Sequence, residues 1–460
     1  MAPPERRRDR ISILDWAHLD KPARRAALAR PHLETSAAVM HEVSRLIARV
    51  RAEGESGLYA LTRRFDGAAL SSLAVTRDEF AEARRALGHE QIAALERAIA
   101  NVQCFHQLQA PQPLDVETEP GVRCEQIVRP IASVGLYVPG GTAPLPSTVI
   151  MLAVPAQIAG CPERVLCTPP RADGSVHPAV LTAAQRCGVT SVFKLGGAQA
   201  IAALAYGTES IPKVDKILGP GNVWVTAAKQ LVAQDPEGAA CDLPAGPSEV
   251  LVVADETAPA DFVAADLLAQ AEHDRLAQAI LITNSRTLAE RVVAEVRTQC
   301  VALSRKEVLA QSLRACRCIV VGDLDTAFTV ANEYAPEHLI VQVREPRRWL
   351  PQIRNAGAVF LGLWSPEPMG DYCSGANHVL PTYGHARAYG GLTLRDFMKT
   401  LSVQEISRDG LRSLGPTAIV MAELEGLDAH ASAVARRLAV LDLEKTGEIF
   451  ASPASEGMAV

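Results

Sequence analysis

At 460 residues the chain is long enough for two or more domains around a sizeable core. Hydrophobic residues make up 48% and charged residues 21%, the balance of an ordinary globular protein rather than a disordered or fibrous one. A formal net charge of -6 argues against a nucleic-acid binder, since phosphate backbones demand a basic surface, so no nucleic-acid partner is expected.

The opening Arg6-Arg7-Arg8-Asp9-Arg10 is basic but leads into no apolar h-region, so no secretory leader is expected. The most apolar stretch, residues 149–159, is interrupted by Pro155 and is too short to cross a bilayer, so no membrane insertion is expected. The ten cysteines are scattered, and the closest pair, Cys316-Arg317-Cys318, has poor spacing for a zinc knuckle. They read as reduced thiols of a cytoplasmic protein.

Residues 1–34 read as an arm joining the second of two α/β domains. Thr35-Ser36 can cap a helix running to about Arg51, with Val39, Val43, Ile47 and Val50 on one stripe and Gly54 as its stop. Residues 79–109 read as helix broken at Gly88. Residues 35–112 thus form a small helical subdomain that carries no visible chemistry.

From residue 130 short apolar runs alternate with helices. Residues 134–138 read as a strand ending in Pro139-Gly140-Gly141. Val165-Leu166-Cys167 precedes Pro169-Pro170 and a helix over 178–187. Residues 192–195 run into Gly196-Gly197 and a helix carrying Gln199. Lys216-Ile217-Leu218 runs into Gly219-Pro220-Gly221-Asn222 and a helix through Val232. This alternation predicts a parallel sheet with crossover helices, its ligand at the glycine turns. No G-x-G-x-x-G is present, so these turns are either anion-binding helix starts or plain strand-to-helix connections.

After Pro244 the alternation resumes. Strands are expected at 249–254, 279–283, 318–321, 339–343 and 358–361, and helices at 261–276 and 288–301. The fold class is therefore α/β: two similar doubly wound, incomplete Rossmann-like domains (113–250 and 251–392), a helical N-terminal subdomain and a helical C-terminal arm (393–460). Residues 362–393 are rich in Gly, Pro and Tyr and read as a long, mostly irregular and functional segment. Residues 394–445 read as helix, and the tail from Ser452 has a disordered composition.

Residues suited to chemistry fall in four places. Glu337-His338 follows Pro336 at a strand entry; the two are either a solvated pair or parts of one site. Gln270 and His273, three apart on a helix, share a face and can both ligate a metal, or belong to a solvated helix end. Asp371 lies in a glycine-flanked loop, as a ligand or as the start of a turn. Glu425 and His430 are five apart, so an unbroken helix would not put them on one face; either Gly426 permits a break that lets both converge, or both lie on an exposed helix.

Seven stretches carry a resemblance: GLYVPGG (135–141), LGPGNVWVTAAK (218–229), AGPSEVLVVAD (245–255), DLLAQAEHD (266–274), NEYAPEHL (332–339), GDYCSGANHVLPTYGHARAYGGL (370–392) and ELEGLDAH (423–430). In that order they resemble the histidinol dehydrogenase family. The resemblance implies oxidation of L-histidinol through L-histidinal to L-histidine with two NAD+. It implies one zinc per subunit, held by Gln270, His273, Asp371 and His430. Glu337 and His338 match the catalytic pair. Ser248, Gln270, His273, His338, Asp371, Glu425 and His430 match the substrate site, with His378 close by. Tyr137, Gln199 and Asn222 match NAD contacts. It further implies a homodimer whose C-terminal arm completes the partner's site. Ala269 and Gly390 stand where the family commonly has Ser; neither matches a ligand. A related zinc and NAD dehydrogenase of another small alcohol, such as a sulfonated diol, is the alternative, and retention of Glu425 and His430 argues against it.

Overall fold

The apolar runs that end in glycine or proline turns become strands of two parallel sheets; the computed structural model describes residues 11–31, 37–140, 143–244 and 246–446. In chain order, β1 (Ser12–Asp15) precedes helices Ala37–Phe65, Arg77–Ala86 and His89–Gln107. Gly54, expected to stop the first of these, kinks it instead: with φ 57° and ψ -135° it leaves the helical region and the helix resumes beyond it. The cap expected at Thr35-Ser36 lies outside the described residues.

β2 (Leu114–Glu119) and β3 (Val122–Pro130) form an antiparallel pair. Then come β4 (Ser133–Tyr137), β5 (Glu163–Thr168), β6 (Ser191–Lys194), β7 (Lys216–Leu218) and β8 (Ala240–Cys241), parallel throughout in the order β6-β5-β4-β7-β8. The order turns back between β4 and β7, which opens a crevice beyond their carboxyl ends.

The second sheet comprises β9 (Glu249–Ala254), β10 (Gln278–Thr283), β11 (Arg317–Val320), β12 (His338–Gln342) and β13 (Ala358–Leu361). With β1 on its edge the order is β1-β11-β10-β9-β12-β13, again all parallel. Every residue of β9, β10 and β12 is buried, as expected for strands covered on both faces by helices.

One stretch departs from the expected helical C-terminal part. Residues Met398–Ile406 form β14, which joins the antiparallel pair in the order β14-β3-β2. Thr400, Val403 and Ile406 are β-branched and suit a strand. The contacts divide the described residues into one unit within 1–110 and 130–397 and a second within 111–129 and 398–460. Residues 114–119, expected in the first α/β domain, therefore belong with the C-terminal part. The second unit holds this small sheet and the helices Arg408–Leu424 and Asp428–Thr446.

Candidate active site

The chemistry-bearing residues of the second sheet gather at the amino ends of β9 and β12, which lie side by side with His338 opposite Val250. The entry to β12 is built by a forced turn. Helix Leu324–Tyr334 ends where Ala335 takes a left-handed conformation, φ 55° and ψ 70°, and Pro336 follows. Proline disfavours helix in the residue before it, so the chain leaves the helix there. Arg30, from the arm after β1, secures the turn. Its guanidinium donates to the carbonyls of Tyr334 at 2.8 Å and Ala335 at 3.2 Å, and lies 3.9 Å from the centre of the Tyr334 ring. It also pairs with the Glu249 carboxylate at 2.7 Å, so one cation ties together both strand entries.

Glu337 and His338 are buried, and both reach one site, with His338 Nδ1 3.6 Å from Glu337 Oε2. His338 Nδ1 lies 3.1 Å from the Glu249 carbonyl. A carbonyl only accepts, so Nδ1 carries the proton and Nε2 presents a lone pair. That Nε2 is buried and has no hydrogen-bond partner. Burial, with His273 and His378 nearby, lowers the His338 pKa to about 3 and keeps the ring neutral. Glu337 accepts from the Glu249 N–H at 2.8 Å and from the Ser248 hydroxyl. Burial still raises its pKa well above the usual carboxylate range.

Gln270 is fully buried in helix Ala260–Ala271. That helix, expected to reach residue 276, ends at Ala271, because Asp274 starts its own turn by accepting from the Leu276 N–H at 2.8 Å. His273 is therefore beyond the helix and exposed; its N–H still bonds the Gln270 carbonyl at 3.1 Å, which keeps the two together. Asp371 lies on the short helix Glu367–Tyr372, its Oδ1 3.8 Å from His338 Nε2. That helix brings in a residue the sequence reading missed: potential ligand atoms of His273, Glu367 and Asp371 lie within 4.8 Å of one another. Burial, then the nearby Asp371, Glu337 and Asp266 charges, raise the Glu367 pKa well above the usual range, and burial raises that of Asp371 to about 7. Buried carboxyl groups crowded beside neutral imidazoles and an amide form a nitrogen and oxygen donor set that suits a divalent cation such as zinc.

His378 borders the same cavity of about 720 Å³ as His338 and Asp371. Its Nδ1 lies 2.8 Å from the Asp371 carbonyl and its Nε2 3.2 Å from the Thr148 hydroxyl. Glu425 and His430 belong to the second unit, where both are exposed. Gly426 breaks the helix between them, with φ 70°, as its position suggested.

A second cavity of about 880 Å³ opens beyond the carboxyl ends of β4 to β7 and is lined by Tyr137, Gln199 and Asn222. Asn222 caps helix Val223–Gln234 through its Oδ1, and the Tyr137 hydroxyl accepts from the Gly197 N–H at 3.0 Å. The turn between β7 and that helix is clamped on both sides. Asp242 accepts from the Gly219 N–H at 2.7 Å, and Lys229 donates to the Gly219 carbonyl and to Asp242, each at 2.5 Å. Asp66 also lines this cavity; its Oδ2 is buried without a partner, and burial raises its pKa to about 6. An elongated polar ligand with hydroxyl or amine donors, such as a dinucleotide, fits these groups. No sequence motif marks Asp66.

Among the described residues no helix is long and apolar enough to cross a membrane. A family profile described as histidinol dehydrogenase matches residues 28–438. Histidinol dehydrogenase of Xanthomonas euvesicatoria pv. vesicatoria (strain 85-10) is 54% identical over 430 residues, covering 94% of this chain and 100% of that protein. That of Vibrio vulnificus (strain CMCP6) is 51% identical over 427 residues, covering 93% and 98%. The crystal structure of histidinol dehydrogenase from Elizabethkingia anophelis superposes with a TM-score of 0.90 at 41% identity, covering 94% of this chain and 99% of that one. With its two parallel sheets and its buried Glu337-His338 pair, this chain belongs to the histidinol dehydrogenase family.

Proposed function

We propose that the chain oxidises L-histidinol to L-histidinal and then to L-histidine, with one NAD+ reduced in each half-reaction. The observation that carries this reading is the His338 ring: Nδ1–H is committed to the Glu249 carbonyl, and Nε2 is a buried lone pair without a partner. Such a nitrogen can take the proton of an alcohol as hydride leaves its carbon. Asp371 and His378 border the same cavity, which supports a role for them in orienting the polar ends of a small substrate.

In the second half-reaction water adds to the aldehyde, and the hydrate loses a hydride and a proton to give the acid. Glu337 is suited to take the proton from that water. It is fixed by Ser248 and the Glu249 N–H, and its raised pKa makes it a stronger base than an exposed carboxylate once ionised. NAD+, when bound in the cavity lined by Tyr137, Gln199 and Asn222, supplies the hydride acceptor. Zinc, when bound by Gln270, His273 and Asp371 with His430 of the partner subunit, supplies a template for the substrate's nitrogens and Lewis acidity.

A homodimer with shared sites belongs to this reading. Glu425 and His430 sit on a separate unit, exposed beside Leu424 at 76% and Met421 at 51% exposure. Exposed apolar side chains around polar site residues suit a surface completed by another subunit. The test of the reaction is NADH formation with L-histidinol set against other primary alcohols, including a sulfonated diol. Reduction of NAD+ by another alcohol and not by histidinol would replace the assigned substrate.

A further inference from the structure

Gln270 has no exposed surface, and one side of its amide faces Glu367. With the nitrogen on that side, it lies 2.9 Å from Glu367 Oε1 and 3.3 Å from Oε2. The other neighbour there, His338 Nδ1 at 3.3 Å, has committed its own proton to the Glu249 carbonyl and is no acceptor. The NH2 end of Gln270 is therefore satisfied by Glu367, and its carbonyl oxygen is turned away from it. An amide ligates a metal through oxygen.

We infer that Glu367 is a positioning residue that selects which end of the Gln270 amide the site presents, and is not itself a metal ligand. The inference rests on the reading of Gln270 as a ligand. The backbone supports the division of labour. Glu367 opens a six-residue helix behind Pro366, and Asp371 lies four residues later on the same face. One helical turn thus sets a ligand and the brace of another ligand at a fixed spacing. Glu367 Oε1 also lies 3.7 Å from His338 Nδ1, so the carboxylate stands behind the base as well. A Glu367 carboxylate oxygen also lies within 4.8 Å of potential ligand atoms of His273 and Asp371, so direct ligation is the alternative that the experiment tests. Partners behind the ligands commonly change metal affinity by about 10–100-fold.

The experiment measures the zinc dissociation constant of the full-length protein by competition with a chromogenic chelator, and the visible spectrum of the cobalt-loaded protein. Glu367→Leu, which removes the acceptor, should weaken zinc by about 10–100-fold. Glu367→Gln, whose carbonyl still accepts from Gln270, should recover most of the affinity and leave the cobalt spectrum unchanged. A leucine variant with wild-type affinity overturns the inference. So does a glutamine variant that loses affinity as far as leucine and shifts the cobalt bands, because that marks direct ligation. Gln270→Leu separates the two readings: if it too binds zinc as the wild type does, it is the assignment of Gln270 as a ligand that fails. Should Glu367→Leu not fold, the exchanged pair Gln270→Glu with Glu367→Gln decides. An amide at 367 then donates to a carboxylate at 270, and binding within about tenfold of wild type is expected; a larger loss overturns the inference.

Discussion

Asn377 completes the hydrogen bonding that Pro155 interrupts. Pro155 lies inside the buried helix Pro146–Ala159 and has no N–H for the Met151 carbonyl four residues back; Asn377 Nδ2 donates to that carbonyl at 2.7 Å. The next residue in the chain is His378, so a break in one helix anchors the loop beside the site. Asn377→Ala should therefore lower stability by about 1–3 kcal/mol, the usual range for an orphaned buried acceptor. In a Pro155→Ala background the cost should shrink, because the new N–H can serve Met151. A double-mutant cycle on thermal unfolding measures the coupling, and additivity would refute it.

Glu337→Gln should spare alcohol oxidation more than aldehyde oxidation. Glutamine keeps the shape and still accepts from the Glu249 N–H, but cannot take a proton from water. The second half-reaction should fall by about 10²–10⁴-fold. His338→Asn should damage both. Steady-state rates with histidinol and with histidinal check this, and an equal loss in both for the Glu337 variant removes its role with water.

Asp266 sets a pH dependence of stability. It is buried, accepts from Gln342 Nε2 at 2.5 Å, and burial raises its pKa from 3.8 to about 7. Between about pH 4 and 7 the folded chain holds a proton that the unfolded chain has released, so this residue's contribution to stability falls as pH rises through that window. Asp266→Asn is neutral throughout and still accepts from Gln342. Its melting temperature should exceed the wild type's by more at pH 8 than at pH 5, with about 1–3 kcal/mol between the two. A larger gain at pH 5 would be the wrong sign.

Sharing of sites between subunits is open to complementation. His338→Asn and His430→Asn should each be inactive as homodimers. If His430 serves the partner's site, a mixed dimer has one site with both lesions and one with neither, and about half the per-dimer activity returns. If each chain builds its own site, every site keeps a lesion and none returns once subunit exchange is verified.

The parallel sheets were legible because buried strands are short apolar runs and their turns carry Gly or Pro. Glu249–Ala254 begins and ends where its sequence pattern does. The strand Met398–Ile406 was not: it is largely exposed, so no buried stripe marks it, and its partner strand lies at residues 122–130. The reach of the site was half legible. Glycine turns after strands pointed to the crevice beyond the first sheet, but the second sheet gathers Glu249, Glu337 and His338 at its opposite, amino ends, which no periodicity reveals. Glu367 and Arg30 act through contacts with residues far along the chain, and nothing in their own neighbourhoods distinguishes them from a turn glutamate and a surface arginine.

Arg30 and β1 set an order of events during synthesis. Arg30 emerges from the ribosome 305 residues before Ala335, one of the carbonyls it holds, and β1 pairs with β11, at residues 317–320. At about 5–20 residues per second the arm waits roughly 15–60 s for its partners to exist. A segment made well before its partners is thus among the last to dock, and until it does the edge of β11 stays unpaired and open to other chains.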